Sequence, residues 1–160
     1  MAKRRVITIG DDILRKTSRP VAEFGRRIHT LLDDMAETMH AHDGCGLAAP
    51  QIGVLRRAVV IDTGNDDYIE LINPEIIEYS DDQEASEGCL SIPEKRGFVV
   101  RPHKVRVRAQ DRNGMAFEHE AEGLAAIAVS HEIDHLDGIL YIDKMTRIDD
   151  GSESKAESKE

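Results

Sequence analysis

The run His131-Glu132-Ile133-Asp134-His135 lies inside an apolar stretch that predicts a helix from about Glu122 to Leu136. Histidines four residues apart lie on one face of an α-helix, so both imidazole rings can reach one metal ion. Glu132 follows the first histidine, where its carboxylate can hold a water molecule beside that ion. This spacing predicts metal-assisted hydrolysis, and it requires a third ligand from elsewhere in the chain.

The position of the third ligand distinguishes between classes of hydrolase. The 25 residues after His135 contain no histidine, and their glutamates lie in a stretch without large apolar residues: Glu153, Glu157 and Glu160. A thermolysin-type peptidase would need its third ligand in this region, so that interpretation is disfavoured. Upstream, Cys89 is a candidate, although a single cysteine among strands is more often a small packed residue.

The composition is that of one globular domain. The chain has 160 residues, of which 40% are hydrophobic and 32% are charged, and its net charge is −10. It contains no apolar run of the roughly 20 residues that span a bilayer, and no signal-peptide pattern. We therefore expect a cytoplasmic protein that does not bind membranes. Its catalytic domain would cover residues 1–148 and a polar, flexible tail residues 149–160.

The pattern of apolar residues predicts an α+β fold. A stripe at helical spacing predicts a helix from Phe24 to about His42, and Asn113-Gly114 indicates a hairpin. Gly138 suits a left-handed residue that ends the last helix. Short apolar runs predict strands over residues 58–61, 68–72, 76–79, 97–101 and 105–109. We expect antiparallel β-sheets packed around the central metal-binding helix, with a further helix near the N-terminus.

The basic residues and the cysteines indicate whether nucleic-acid binding and a disulfide are to be expected. Lys104, Arg106 and Arg108 alternate with valines, which is typical of the exposed face of a half-buried strand. No direct nucleic-acid binding is therefore expected. The two cysteines, Cys45 and Cys89, are not expected to form a disulfide in a cytosolic protein.

Two further segments accompany the helix motif. Residues 44–53, GCGLAAPQIG, combine glycines and small residues with one amide side chain, Gln51, and residues 87–93 read EGCLSIP. Taken alone, the first segment reads as a tight turn that leads into a strand. Together with residues 131–135, and in this order, the segments resemble the three signature motifs of the peptide deformylases. That family removes the formyl group from nascent bacterial and organellar proteins, and the resemblance extends over roughly residues 6–145.

The resemblance implies a set of catalytic groups. The implied ligands of one divalent metal ion per chain are Cys89, His131 and His135. Glu132 would accept a proton from the attacking water, while the Gln51 amide and the backbone N–H of Leu90 would bind the formyl oxygen. Fe²⁺ is the metal expected in the cell, and the sequence leaves Zn²⁺, Ni²⁺ and Co²⁺ open.

The implied substrates are N-formyl-methionyl nascent peptides. A methionine side chain needs an apolar pocket, and the peptide backbone can be bound as an added strand. The residues expected to contact the substrate are Cys45, Gly46, Gly88, Arg96, Leu124 and Ile127. We also expect a monomer that encounters the ribosome transiently.

Some positions depart from the family pattern. Ser130 replaces a common glutamine, and Cys45 and Ala85 replace larger aliphatic residues. The tail does not match the basic C-terminal helix with which some members dock on the ribosome. Two alternatives remain open. A thermolysin-type metallopeptidase would act on unformylated peptides, and a non-catalytic metal-binding module would bind metal without turnover.

Overall fold

The computed structural model describes residues 2–64 and 67–151. Within them, the α-helices are α1 (Arg26–Ala41) and α2 (Leu124–Leu136). The strands are β1 (Gly46–Ala48), β2 (Ala58–Ile61), β3 (Ile69–Cys89), β4 (Ile92–Gln110), β5 (Ala116–Glu122) and β6 (Arg147–Ile148). Short 3₁₀ turns cover Asp12–Arg15, Ala49–Ile52 and Tyr141–Asp143. The expected α+β class, with antiparallel pairing and a helix near the N-terminus, is confirmed.

The strands form one continuous antiparallel sheet. Its order is β1-β2-β3-β4-β5, and β6 pairs with β4 near Gly97 and Phe98. The register between β3 and β4 shifts after Ile72, after Ile76 and after Glu87. Such irregularities bend a strand and increase its twist. The last shift lies beside Cys89, at the tight turn that joins the two long strands.

Two pairs of predicted strands are each one strand in the structure. The predicted runs 68–72 and 76–79 belong to β3, which starts at Ile69 and continues through a polar stretch to Cys89. The runs 97–101 and 105–109 both belong to β4. Residues 80–82 of β3 are exposed, so no alternation of apolar residues marks this part as a strand. The hairpin predicted at Asn113-Gly114 implies β5 without giving its bounds, whereas no pattern predicts β1 or β6, because each is very short.

The helices cover opposite faces of β1 and β2. Val59 and Ile61 of β2 pack in the cluster that contains α2, whereas Ala58 and Val60 pack in the cluster that contains α1. The predicted apolar stripe of α1 is entirely buried there: Ile28, Leu31, Leu32, Met35 and Met39. Because successive side chains of a strand point to opposite faces of the sheet, β2 contributes to two separate hydrophobic cores, one on each face.

The second helix is buried on most of its surface. It starts at Leu124, two residues later than predicted, and it ends at Leu136 as predicted. Small residues such as Ala126 and Ala128 let the sheet approach closely, and nine of the thirteen residues of the helix are buried. Gly138 has a φ of 74° and ends the helix, and Gly114, with a φ of 85°, lies in the β4–β5 turn. Both glycine predictions are confirmed.

Two further expectations concern membrane-spanning helices and the C-terminal tail. Across residues 2–64 and 67–151, none of the helices has the length and apolar character needed to cross a membrane. The predicted tail, residues 149–160, lies outside the described residues from residue 152 onward.

Candidate active site

Three side chains converge between the end of β3 and the second half of α2. Sγ of Cys89 lies 3.4 Å from Nε2 of His135, which lies 3.2 Å from Nε2 of His131. All three ligand atoms are within 4.8 Å of one another. One thiol and two imidazole nitrogens that point at a common centre fit a divalent transition metal, and three protein ligands leave a coordination position open. The sequence-predicted ligand set is therefore brought together.

His131 is held by a buried network of charges. Its Nδ1 donates to Oε1 of Glu87 at 2.9 Å, so its Nε2 is left to face the other two ligand atoms. Arg101 donates to both oxygens of Glu87, at 2.8 and 2.9 Å, and to Asp134 on α2 at 2.7 Å. A histidine ligand is commonly oriented by a carboxylate in this way. The network also ties β3 and β4 to the metal-binding helix.

The charges of this network shift the pKa values of its members. Although burial opposes ionisation, hydrogen bonds from Arg101 and His131 lower the pKa of Glu87 to about 2. Burial favours neutral His131, but the carboxylates of Glu132 and Glu87 and the Cys89 sulfur raise its pKa well above the usual value. Burial and the neighbouring His131 lower the pKa of His135. Glu87 is therefore the fixed negative charge of the site.

Glu132 points into the same centre. Its side chain is buried, and Oε2 lies 4.0 Å from Nε2 of His131. Oε1 has no hydrogen-bond partner among the described residues. Burial raises the pKa of Glu132 to about 7, and a cation beside it would oppose that rise. A buried carboxylate with a free oxygen next to a metal-ligand cluster can accept and return a proton.

Gly46 makes room for this carboxylate. A Cβ atom at position 46 would lie 2.7 Å from Oε2 of Glu132 and 2.8 Å from its Cγ. The backbone of β1 therefore packs directly on the glutamate, and only glycine fits there.

The Gln51 side chain has a fixed orientation. Its Oε1 accepts the Ala48 N–H at 2.9 Å, and its Nε2 donates to Oγ of Ser91 at 3.2 Å. The same Nε2 lies 3.5 Å from Sγ of Cys89, so the amide donor points toward the ligand cluster. Leu90 is in the tight turn directly after Cys89, and it borders the same cleft as Gln51. A donor held in advance at this place can stabilise a negative oxygen.

A cleft of about 960 Å³ opens onto the cluster. It is bordered by Glu132, His131, Gln51 and Leu90, together with every residue expected to contact substrate: Cys45, Gly46, Gly88, Arg96, Leu124 and Ile127. Arg96 crosses Gly88 to donate to the backbone oxygen of Ser86 at 2.8 Å. Eleven of the twelve predicted site residues thus line one cavity, and His135 does not line it but contacts Cys89 and His131, which do.

Two of the departures from the family pattern, at Ser130 and Cys45, adjoin the site: Ser130 precedes His131 on α2, and Cys45 borders the cleft. Ser130 is buried, and its Oγ has no partner within the described part of the chain. Cys45 is exposed at the cleft, and no disulfide joins it to Cys89. Partial desolvation of the sulfur by the cleft walls, followed by the Glu132 charge, raises the pKa of the Cys45 thiol, so it is not an activated nucleophile.

Sequence reasoning missed the residues that orient the ligands. The segment EGCLSIP contains Glu87 but indicates no role for it, Arg101 only ends a predicted strand, and no pattern predicts the contacts of Ser91 and Asp134. The available signal was Arg101, a charged residue that follows the apolar run Phe98–Val100 of a strand. Its partners come from β3 and α2, and no local spacing could identify them.

Comparisons with known proteins agree with this geometry. Residues 3–150 match the family model described as polypeptide deformylase. A peptide deformylase of Caldicellulosiruptor bescii is 57% identical over 92% of this chain and 88% of that protein. The crystal structure of the Thermotoga maritima enzyme superposes with a TM-score of 0.88 at 41% identity, covering 91% of this chain and 99% of that one. A Met-Ala-Ser-bound peptide deformylase from Acinetobacter baumannii gives 0.86 at 32% identity, covering 90% and 99%. The chain therefore belongs to the polypeptide deformylase family, and it is a hydrolase that removes the formyl group from the N-terminal formyl-methionine of nascent polypeptides.

Proposed function

We propose that the chain performs this hydrolysis with the residues gathered at the cleft. Cys89, His131 and His135 hold one divalent metal ion, and Glu132 moves the protons. The observation that carries the proposal is the buried carboxylate of Glu132, whose Oε1 is unpartnered among the described residues beside three convergent ligand atoms.

The reaction breaks the C–N bond of a formamide with water. Glu132 accepts a proton from the water as its oxygen attacks the formyl carbon, and it delivers that proton to the departing α-amine, so formate and a free N-terminus result. A bound divalent ion would supply Lewis acidity at this place. The position of Glu132, held by α2 and by contact with Gly46, supports its role as the proton carrier.

Negative charge develops on the formyl oxygen during the attack. We assign its stabilisation to the Gln51 Nε2–H and the backbone N–H of Leu90. The hydrogen bonds from Ala48 and to Ser91 support this role for Gln51, because they orient the amide before substrate arrives. Losing one such donor typically lowers kcat by about 10²–10³.

The metal proposed for the cell is Fe²⁺. A set of one thiolate and two imidazoles suits Fe²⁺ as well as Zn²⁺, and Ni²⁺ or Co²⁺ can replace either. With Fe²⁺, the thiolate ligand makes activity sensitive to air, whereas a Zn²⁺ enzyme would be stable. Loading the metal-free protein with each ion and measuring turnover and its decay in air distinguishes these metals.

The formylated peptide is proposed to lie along the edge of the sheet. β1 pairs only with β2 in the described sheet, so its other edge, at Gly46, is available to an added strand. Leu124 and Ile127 offer apolar surface for the methionine side chain, and Arg96 borders the rim. The Met-Ala-Ser peptide bound to the A. baumannii relative supports a peptide-binding cleft of this kind.

The cellular setting follows from the substrate. Nascent formylated chains emerge in the bacterial or organellar interior, so we propose a cytoplasmic monomer that meets the ribosome transiently. Residues 1–148 would form the catalytic domain and residues 149–160 a polar tail. The family match over residues 3–150 supports that division.

The test is formate release from formyl-Met-Ala-Ser by protein purified anaerobically and loaded with Fe²⁺. The proposal predicts stoichiometric formate and free Met-Ala-Ser, and no cleavage of the unformylated tripeptide. Cleavage within the unformylated peptide would favour a metallopeptidase. Protein with one metal per chain and no formate release would be a non-catalytic metal-binding module.

A further inference from the structure

The N-terminal segment is anchored to α1 by a buried carboxylate. Oδ2 of Asp34 accepts from Nε and from the terminal nitrogen of Arg4 at 2.9 and 2.8 Å, and Oδ1 accepts the Ala2 N–H at 2.7 Å. Thr38 Oγ1 accepts the Arg4 N–H at 2.9 Å and donates to the Asp34 carbonyl. The Asp34 side chain is only 6% exposed, so this end is held by charged hydrogen bonds with little competition from water.

The other end of the segment is bonded to both loops that carry the formyl-oxygen donors. The Ile7 N–H donates to the Gln51 carbonyl at 2.7 Å, and the Ile9 N–H donates to the Ser91 carbonyl at 2.8 Å. Gln51 and Ser91 are themselves joined by the side-chain hydrogen bond at 3.2 Å. Residues 2–9, here called the N-terminal strap, therefore bridge the two loops through hydrogen bonds to their backbone carbonyls.

Packing and position connect the strap to the cleft. Ile7 packs against the cluster that contains Ile92 and Tyr141, and Cys89 packs against the same cluster. Arg5, Val6 and Thr8 border the cleft itself. The strap thus passes between the α1 anchor and the donor loops while forming part of the cavity wall.

We propose that the N-terminal strap positions the oxyanion donors, and that Asp34 is a positioning residue which acts through it. The strap holds the Gln51 and Ser91 backbones at a fixed separation, and this separation keeps Nε2 of Gln51 aimed at the ligand cluster. Asp34 touches neither substrate nor metal ligand. The proposal rests on the role assigned to Gln51 in deformylation.

The physical argument depends on when the donor acts. An oxyanion donor binds charge that exists in the transition state and hardly in the ground state, so misplacing it lowers kcat while leaving KM nearly unchanged. The strap contacts are backbone hydrogen bonds to the two donor loops, so releasing the anchor shifts both loops rather than one side chain. We expect the displaced donor to keep part of its effect. The decrease in kcat should therefore be smaller than the factor of about 10²–10³ that follows complete removal of a donor.

The chain provides a matched control on the same helix. Asp33, next to Asp34, pairs with Arg112 at 2.9 Å and, within the described part of the chain, forms no hydrogen bond or ion pair with the strap. Asp34→Asn should lower kcat by about five- to twentyfold on formyl-Met-Ala-Ser at unchanged KM and metal content. It should also increase the amide exchange of Ile7 and Ile9. Asp33→Asn should change neither kcat nor the exchange rates of these two amides. Both variants are assayed well below their melting temperatures.

A double-mutant cycle with Gln51→Ala separates positioning from a general loss of folded enzyme. If Asp34 acts through the donors, Asp34→Asn should lower the kcat of Gln51→Ala by a smaller factor than it lowers the wild-type kcat, because only the Leu90 N–H remains to be displaced. A multiplicative loss in that background, or faster exchange of the strap amides with full activity, would overturn the proposal. If Gln51→Ala alone keeps wild-type kcat, the assigned role of Gln51 fails, whereas the exchange result still reports whether Asp34 anchors the strap.

Discussion

Nδ1 of His131 lies 2.9 Å from the Glu87 carboxylate, and both side chains are buried. The carboxylate has a low pKa because Arg101 binds both of its oxygens. His131 therefore donates from Nδ1 and presents Nε2 to the other metal ligands. A single arginine, through Glu87, thus determines how a ligand histidine is oriented.

Arg101→Met should weaken both the fold and the metal site. The substitution leaves the buried carboxylate of Glu87 without its cationic partner, which typically costs about 3–5 kcal/mol of stability. Loss of a group that orients a ligand typically lowers metal affinity by about 10–100-fold. Denaturant unfolding and competition with a metal chelator measure the two effects. Arg106→Met, at a half-exposed arginine paired with exposed Glu78, is the control and should change metal affinity very little. Equal metal affinities in the two variants would refute the role given to Arg101.

Gly46→Ala should nearly abolish turnover. The new Cβ would overlap with the Glu132 carboxylate, so either the glutamate or β1 must move. We expect kcat to fall by at least about 10², the lower range for losing a general base. Gly44→Ala is the matched control, because its Cβ would lie 3.1 Å from the flexible end of Leu90 and 3.6 Å from Cγ of Met39, with no contact to Glu132 among the nearest atoms. Steady-state formate release checks both variants, and comparable kcat values in the two would show that the contact at position 46 is unimportant.

Cys89→Ser should remove most of the bound metal, whereas Cys45→Ser should not. Sγ of Cys89 belongs to the convergent donor set, but Cys45 does not, although both cysteines border the cleft. A hydroxyl is a poorer ligand for soft divalent metals than a thiolate. Metal content after anaerobic purification and dialysis is the measurement. Full metal content in Cys89→Ser would exclude this cysteine as a ligand.

Asp34 should contribute to stability in a pH-dependent way. Burial opposes ionisation, but the Ala2 N–H and Arg4 hold its pKa below the ordinary value of 3.8. A lowered folded-state pKa stabilises the protein above the unfolded pKa, and this contribution is lost as the pH falls through the folded value. When the pH is lowered from about 5 to about 3, the free energy of unfolding should therefore decrease less in Asp34→Asn than in the wild-type protein. Identical pH profiles, measured by urea unfolding, would mean that the carboxylate is not bound in this way.

The sequence predicted the parts of the fold that depend on local pattern. The apolar stripe of α1, the buried β2 and the glycines at 114 and 138 follow from spacing and backbone preference. The length of β3 could not be predicted, because its exposed residues 80–82 carry no apolar alternation. Pairing with β4, a contact between distant residues, keeps this part extended.

The candidate site likewise contains residues that the sequence predicts and residues that only the tertiary structure reveals. Spacing within α2 indicates that His131 and His135 share a face, and the resemblance of the motifs adds Cys89 and Gln51. Arg101 and the strap contacts of Ile7 and Ile9 depend on tertiary approach across β3, β4 and the N-terminus. A single sequence contains no local signal for such contacts.

The most direct test of the account is the turnover of Glu132→Gln in the Fe²⁺-loaded enzyme. The substitution keeps the shape of the side chain and leaves Cys89, His131 and His135 intact, so the variant should bind one metal ion per chain with near-normal affinity. Formate release from formyl-Met-Ala-Ser should fall by at least about 10³ in kcat, within the range for a general acid–base group. Wild-type kcat in a fully metallated Glu132→Gln enzyme would contradict the assignment of Glu132 as the proton carrier.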